Sequence, residues 1–175
     1  DAINATGYGL TFGVHSRIDE TIAQVTQRVQ AGNIYVNRNV IGAVVGVQPF
    51  GGMGLSGTGP KAGGPLYLHR LVQGNPNAAL ASVPTAEAAP ASRALLERLT
   101  QANLPGASAT QLRALIDAAL AATRVGASWL LPGPTGESNR YRLLPRGAVW
   151  ALPASTLGLV HQVVAALASG NPCHV

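Results

Sequence analysis

The chain has 175 residues, 47% of them hydrophobic, which is enough for one substantial core or for two small units. Only 11% of the residues are charged, while 21 are Gly and 12 are Pro, which is too little charge for the surface of an ordinary independent domain, where about 25% is usual. A mean hydropathy of +0.21 excludes a disordered chain, and the longest weakly polar stretch, 147–170, is interrupted by Pro153, Ser155, Thr156, His161 and Gln162, which excludes a membrane-spanning helix.

The opening residues, Asp-Ala-Ile-Asn, have neither a basic segment nor an apolar run nor an initiator Met, so no signal peptide is expected and the start reads as a cut within a longer chain. Leu10 to His15 reads as a short strand. Ser16, with Asp19 three residues on, predicts a capping-box-like helix start. Ile18, Ile22, Val25 and Val29 then fall on one helical face. Gly32 stands where a left-handed residue would stop that helix, and Asn33 to Asn37 reads as a second strand. The pattern is a β-α-β unit, so the expected class is α/β.

From 42 to 65 glycine is too frequent for any regular element, and the stretch is expected to be an ordered loop, closed by a short helix within Leu66 to Val72. Residues 73–91 have the Pro, Ala and small-polar composition of a linker. Two helices follow. The first spans Ser92 to Ala102, with Leu95, Leu96 and Leu99 on one face; the second spans Ala109 to Arg124, with a Ser108…Gln111 capping box before it and Gly126 ending it. Trp129 to Leu131, Tyr141 to Leu144 and Ala148 to Leu152 read as strands. Thr156 to Ser169 reads as a helix stopped by Gly170, with Val160, Val163, Val164 and Leu167 as its core face. Cys173 to Val175 starts another strand, so a second α/β unit is entered and not completed. The expected division is 1–72, a linker at 73–91, and 92–175.

The net charge of +5 does not point to nucleic acid. The basic residues are scattered from Arg17 to Arg146, with Arg140, Arg142 and Arg146 as the nearest thing to a group, and phosphate binding requires a patch. The single Cys173 excludes an internal disulfide and fits a reducing, cytoplasmic compartment. His15, His69, His161 and His174 are not spaced as metal ligands, so no metal site is expected. Lys61 reads as a donor tying loop carbonyls rather than as an anion-binding cation, and Met53 carries no specific chemistry.

The run GAVVGVQPFGGMGLSGTGPKAGGP at 42–65 resembles the C-terminal signature loop of the aldehyde dehydrogenase superfamily, and most closely its L-glutamate γ-semialdehyde dehydrogenase branch. YGLTFGVHSRI at 8–18 and GNIYVNRN at 32–39 resemble the same family in the same order. The resemblance implies oxidation of an aldehyde to a carboxylate with NAD, in which a Cys thiolate attacks, hydride passes to the nicotinamide and a Glu serves as general base. No catalytic or cofactor-binding residue is assigned in this chain: Cys173 lies outside the matched region, and its four Glu residues stand in other contexts. The resemblance does imply a substrate site, in which the backbone N–H groups of Gly42 and Ala43 receive the substrate's α-carboxylate and Phe50 packs on its aliphatic part. From the residues alone, these three suit either such an anion-binding concavity or a tight turn with a core filler.

Residues 139–171 (NRYRLLPRGAVWALPASTLGLVHQVVAALASGN) are similar to the part of an aldehyde dehydrogenase where the nucleotide-binding domain begins. Active members place a Trp-Asn pair after the strand, the Asn helping to bind the oxyanion; here the stretch is Pro153-Ala154-Ser155-Thr156. The resemblance therefore implies a non-catalytic, aldehyde-dehydrogenase-like second domain. The expected fold is aldehyde dehydrogenase-like and three-layer, with Rossmann-like elements and both units incomplete. The implied parent is a bifunctional, proline-catabolic, homo-oligomeric enzyme that also oxidises proline with FAD. It would be cytoplasmic, with peripheral attachment to the inner membrane as a trait of the parent. A stand-alone, non-catalytic structural or interaction module is the alternative.

Overall fold

The computed structural model describes residues 1–73, 83–84, 89–102 and 106–175, so most of the linker expected at 73–91 lies outside the described residues. The chain forms two compact units, one of 1–80 with 131–139 and the other of 81–130 with 140–175. The stretch 131–139 is thus grouped with the first unit, whereas the sequence reading assigns it to the second half.

The first unit begins with α1 (Ala2–Ala5), β1 (Tyr8–Gly9) and β2 (Thr11–Val14), followed by α2 (Asp19–Arg28) and β3 (Asn33–Val36). Strands β2 and β3 are parallel, with Thr11 opposite Asn33 and Val14 opposite Val36. Parallel strands need a crossover, and α2 supplies it. Ile22, Val25 and Val29 are half-buried, whereas Ile18 is 59% exposed, so the apolar face is narrower than its spacing suggests. The glycine-rich stretch is an ordered loop with two small pairings: β4 (Met53–Gly54) runs antiparallel to β1, and Phe50 bridges to Ala62. A 3₁₀ turn at Leu68–Arg70 follows it.

Two local expectations in this unit are corrected. Helix α2 starts at Asp19 with extended Ile18 as its N-cap, and Ser16 does not cap it. Asn37 accounts for this: its side-chain amide accepts from Ser16 N at 2.9 Å and donates to Ser16 O at 2.9 Å, fixing Ser16 in the connection, where its hydroxyl accepts from Ile18 N instead. Nor does Gly32 end the helix, which stops at Val29 in extended conformation. A Cβ on Gly32 would lie 1.8 Å from the carbonyl oxygen of Gly51. The residue is Gly because two backbones meet there.

The second unit contains α3 (Pro90–Thr100), α4 (Ala109–Ala122), β5 (Ser128–Leu131), β6 (Asn139–Arg142), β7 (Val149–Trp150), α5 (Thr156–Ala168) and β8 (Cys173–His174). Leu96, Leu112, Ile116, Val160, Val164 and Ala168 form its buried core, with Leu99, Leu120 and Leu167 packed against them. Leu95 faces outward at 47% exposure, because α3 offers only its Leu96 and Leu99 stripe to the other two helices. The capping box of α4 is complete: Ser108 Oγ accepts from Gln111 N, and Gln111 Oε1 accepts from Ser108 N. That helix ends at extended Thr123. Gly126, with φ +95°, instead opens the β5–β6 pairing by donating to Leu143 O. Strands β7 and β8 are parallel and joined by α5, a second β-α-β unit. Gly170, with φ +70°, follows α5 as expected.

Candidate functional site

The loop after β3 is set by side chains that replace a regular hydrogen-bond ladder. Asn39 Oδ1 accepts from Ile41 N at 2.9 Å, and Gln48 Oε1 accepts from Val44 N at 3.0 Å. The Val44 carbonyl in turn accepts from the N–H groups of Val47 and Gln48, both at 3.0 Å. Between these anchored positions, the N–H groups of Gly42 and Ala43 donate to no group among the described residues. Gly42 has φ +77°, a conformation that favours glycine, and the space around its missing Cβ is open. Two successive N–H donors in a turn of this kind form a concavity for an anion.

This turn has a support that local sequence does not announce. Glu137, in the 131–139 stretch of the same unit, accepts from Arg38 Nη1 at 2.8 Å and from Gln48 Nε2 at 3.1 Å. The Arg38 guanidinium also lies 5.2 Å from the centre of the Tyr35 ring, within cation–π range. Gln48 therefore bridges Glu137 to the N–H of Val44, next to Ala43. Nothing in the pattern around Glu137 signals this role, since its partners lie 99 and 89 residues earlier in the chain.

Phe50 sits further along the loop and is 37% exposed. Its N–H donates to Ala62 O at 3.0 Å, and its carbonyl accepts from Ala62 N at 2.9 Å. The neighbouring Lys61 is the structural donor expected from its context. Its ammonium donates to Gly32 O, to Gly51 O at 2.8 Å and to Asn33 Oδ1 at 3.3 Å. Those contacts use the three protons an ammonium carries.

Burial lowers the Lys61 pKa from 10.5 to about 8. Between those values the unfolded chain binds the proton more than the folded one, so the cost of burying the charge is fully present below pH 8 and is relieved as pH rises to 10.5. The side chain keeps some solvent contact, so the relief is about 1–2 kcal/mol. Urea unfolding at pH 7 and pH 10.5 should show the native chain gaining stability relative to a Lys61→Met variant. A constant difference across that window would contradict the burial of the ammonium.

Of the residues without assigned chemistry, Cys173 is half-buried in β8, its thiol only 3.8 Å from its neighbour's carbonyl, and β8 lies in the second unit. Among the described residues no group of three or more His, Cys, Asp or Glu side chains could hold a metal ion, and no helix is long and apolar enough to cross a membrane. Neither strand-to-helix connection, His15–Ile18 or Leu152–Ser155, contains the glycine that a dinucleotide phosphate needs to approach the backbone. These two connections thus lack the glycine fingerprint by which a β-α-β unit binds a dinucleotide. At the second connection, Ser155 Oγ is occupied as the N-cap of α5, accepting from Gly158 N at 3.1 Å.

Residues 1–74 match the aldehyde dehydrogenase family. The chain is 53% identical over 174 residues, 98% of its length, to the bifunctional protein PutA of Rhizobium meliloti, and it spans 13% of that protein. Over 65 residues, 37% of the chain, it is 51% identical to the 1-pyrroline-5-carboxylate dehydrogenase of Geobacillus sp. (strain WCH70), again covering 13% of the relative. The structure of proline utilization A (PutA) from Corynebacterium freiburgense aligns with 99% of this chain and 17% of its own, with a TM-score of 0.67 and 31% identity. The fold is aldehyde dehydrogenase-like.

Proposed function

We propose that this chain, a PutA segment that belongs to the aldehyde dehydrogenase family through residues 1–74, holds the α-carboxylate of L-glutamate γ-semialdehyde for its NAD-dependent oxidation by the complete protein. The observation that carries the proposal is the pair of N–H groups on Gly42 and Ala43, which among the described residues have no partner and lie between two side-chain-fixed neighbours. A carboxylate seated there accepts charge-assisted hydrogen bonds from both. Phe50 covers the methylenes between that carboxylate and the aldehyde. The likeness of 65 residues of the chain to a 1-pyrroline-5-carboxylate dehydrogenase supports the substrate, because that ring is the cyclised form of glutamate semialdehyde.

The family match ends at residue 74. It supports reading 1–72 as the closing part of a catalytic domain, while 73–91 as a linker rests on its composition and 92–175 as a non-catalytic aldehyde-dehydrogenase-like domain on the resemblance of 139–171. The use of Ser155 Oγ as the cap of α5, in a connection that contains no Asn, fits that last assignment. NAD, when bound, accepts the hydride, and FAD serves proline oxidation; both belong to other parts of the complete protein. What this chain contributes is orientation of the substrate.

Discrimination between aldehydes tests the anchor. In the complete enzyme, Gly42→Val forces a β-branched residue to φ +77°, a strain of about 1–2 kcal/mol that displaces the N–H pair. The preference in kcat/KM for glutamate semialdehyde over an aldehyde of equal length without the α-carboxylate should fall about tenfold, since each 1.4 kcal/mol is a factor of ten. An unchanged preference would reject the anchor. The chain by itself should form no NADH from glutamate semialdehyde, and NADH formation would place the nucleophile within it.

A further inference from the structure

We infer that Asn33 is a positioning residue for Phe50, its side-chain amide standing in for a neighbouring strand and fixing the direction in which the ring meets the aldehyde substrate. The inference rests on the substrate reading above. A residue's own N–H and C=O point to one edge of its strand, while the C=O before it and the N–H after it point to the other edge. At Phe50 the first edge is paired with Ala62, through both Phe50 N–H and Phe50 C=O. Among the described residues, no strand pairs with the second edge. Asn33 Nδ2 donates to Pro49 O at 2.9 Å, and Asn33 Oδ1 accepts from Gly51 N at 3.1 Å. One side-chain amide thus offers the donor and acceptor that a peptide group of a third strand would offer, and it straddles Phe50.

The amide is itself held from both ends. Asn33 is the first residue of β3, paired opposite Thr11 of β2, so its backbone belongs to the parallel pair rather than to the loop. Lys61 Nζ donates to Asn33 Oδ1 at 3.3 Å and to Gly51 O at 2.8 Å, which orients the amide so that its oxygen faces Gly51 and its nitrogen faces Pro49. Asparagine is required by this arrangement: Asp lacks the donor for Pro49 O, and an apolar side chain lacks both groups. With both edges occupied, the loop backbone at Phe50 is held against rotation about its own axis, and with it the direction in which the side chain leaves the bridged pair. A ring free to turn would leave the methylenes of a bound substrate partly uncovered. Asn33 needs no contact with the substrate to affect how well it is held.

The test uses the complete enzyme with two variants, Asn33→Leu and Asn33→Asp. Asn33→Leu should raise KM for glutamate semialdehyde about tenfold, with kcat and KM for NAD within about twofold, because binding is weakened equally in ground and transition states. Asn33→Asp keeps the acceptor for Gly51 N and Lys61 Nζ and should lie between the two, at about threefold in KM. A loss of kcat at constant KM, which fewer folded molecules would produce, overturns the proposal, as does an unchanged KM. Ala43→Trp read alongside separates the two ideas. If it leaves KM unchanged the substrate anchor itself fails, whereas a raised KM in Ala43→Trp with a native KM in Asn33→Leu removes only the role of Asn33.

Discussion

In the complete enzyme, Ala43→Trp should raise KM for L-glutamate γ-semialdehyde about a hundredfold while leaving KM for NAD within about twofold, because each hydrogen bond to a charged group contributes about 1.5–3 kcal/mol and two are at stake. Ala43 is half-buried, with its N–H next to the N–H of Val44, which is already committed to Gln48. An indole there occupies the concavity and leaves the small turn with no compensating shift, since Ile41 and Val44 are fixed on either side. The effect falls on KM because the carboxylate stays ionised and bound throughout the reaction, and binding that is equal in the ground and transition states does not alter kcat. Steady-state kinetics with each substrate varied in turn decide the matter. Native KM values in the variant would mean that the carboxylate binds elsewhere.

Gly32→Ala should be the most destabilising single change in the first unit. Its new methyl would lie 1.8 Å from Gly51 O, 2.7 Å from the Gly51 carbonyl carbon and 2.8 Å from Gly52 Cα, all of them backbone atoms. No rotamer relieves such an overlap, so the two segments must separate. That separation also pulls Gly32 O and Gly51 O apart, and Lys61 holds both. The expected loss is about 3 kcal/mol, from overpacking together with broken buried hydrogen bonds. For a unit of this size that lowers the melting temperature by more than about 10 °C. Thermal unfolding of the chain followed by circular dichroism reads it directly, and a melting temperature within 3 °C of native, on the order of a negligible surface change, would refute the close approach.

Much of this architecture is legible from residue spacing, for reasons that are local. Ile22, Val25 and Val29 recur at helical intervals, and Ser108 and Gln111 meet within one turn, so neither depends on distant chain. Gly170 is left-handed because a helix end favours it there. Ser16 and Gly32 mislead because each carries a valid local signal that a distant partner overrides: Asn37 takes the backbone of Ser16, and Gly51 crowds Gly32. Leu95 and Ile18 show the same limit, since period alone does not say how wide a face the neighbours cover. In the candidate site, small residues at 42 and 43 suit an anion-binding backbone or a tight turn alike and take on a substrate role only through the family resemblance, whereas the supports at Gln48, Asn33 and Glu137 are polar residues with no pattern of their own. Apart from the local Gln48–Val44 bond, their pairings span 16 to 99 residues, which spacing rules do not reach.

The bond between Arg38 and Glu137 closes across 99 residues, and that separation sets an order of events during synthesis. A ribosome adding about 5–20 residues per second needs roughly 5–20 s to pass from one partner to the other. For that interval the nascent segment at 42–43 is without its carboxylate brace, and Asn39 and Gln48 are the side chains at hand to bond the backbone on either side of it. The turn proposed to grip the substrate therefore receives its last support from a piece of chain made well after the turn itself.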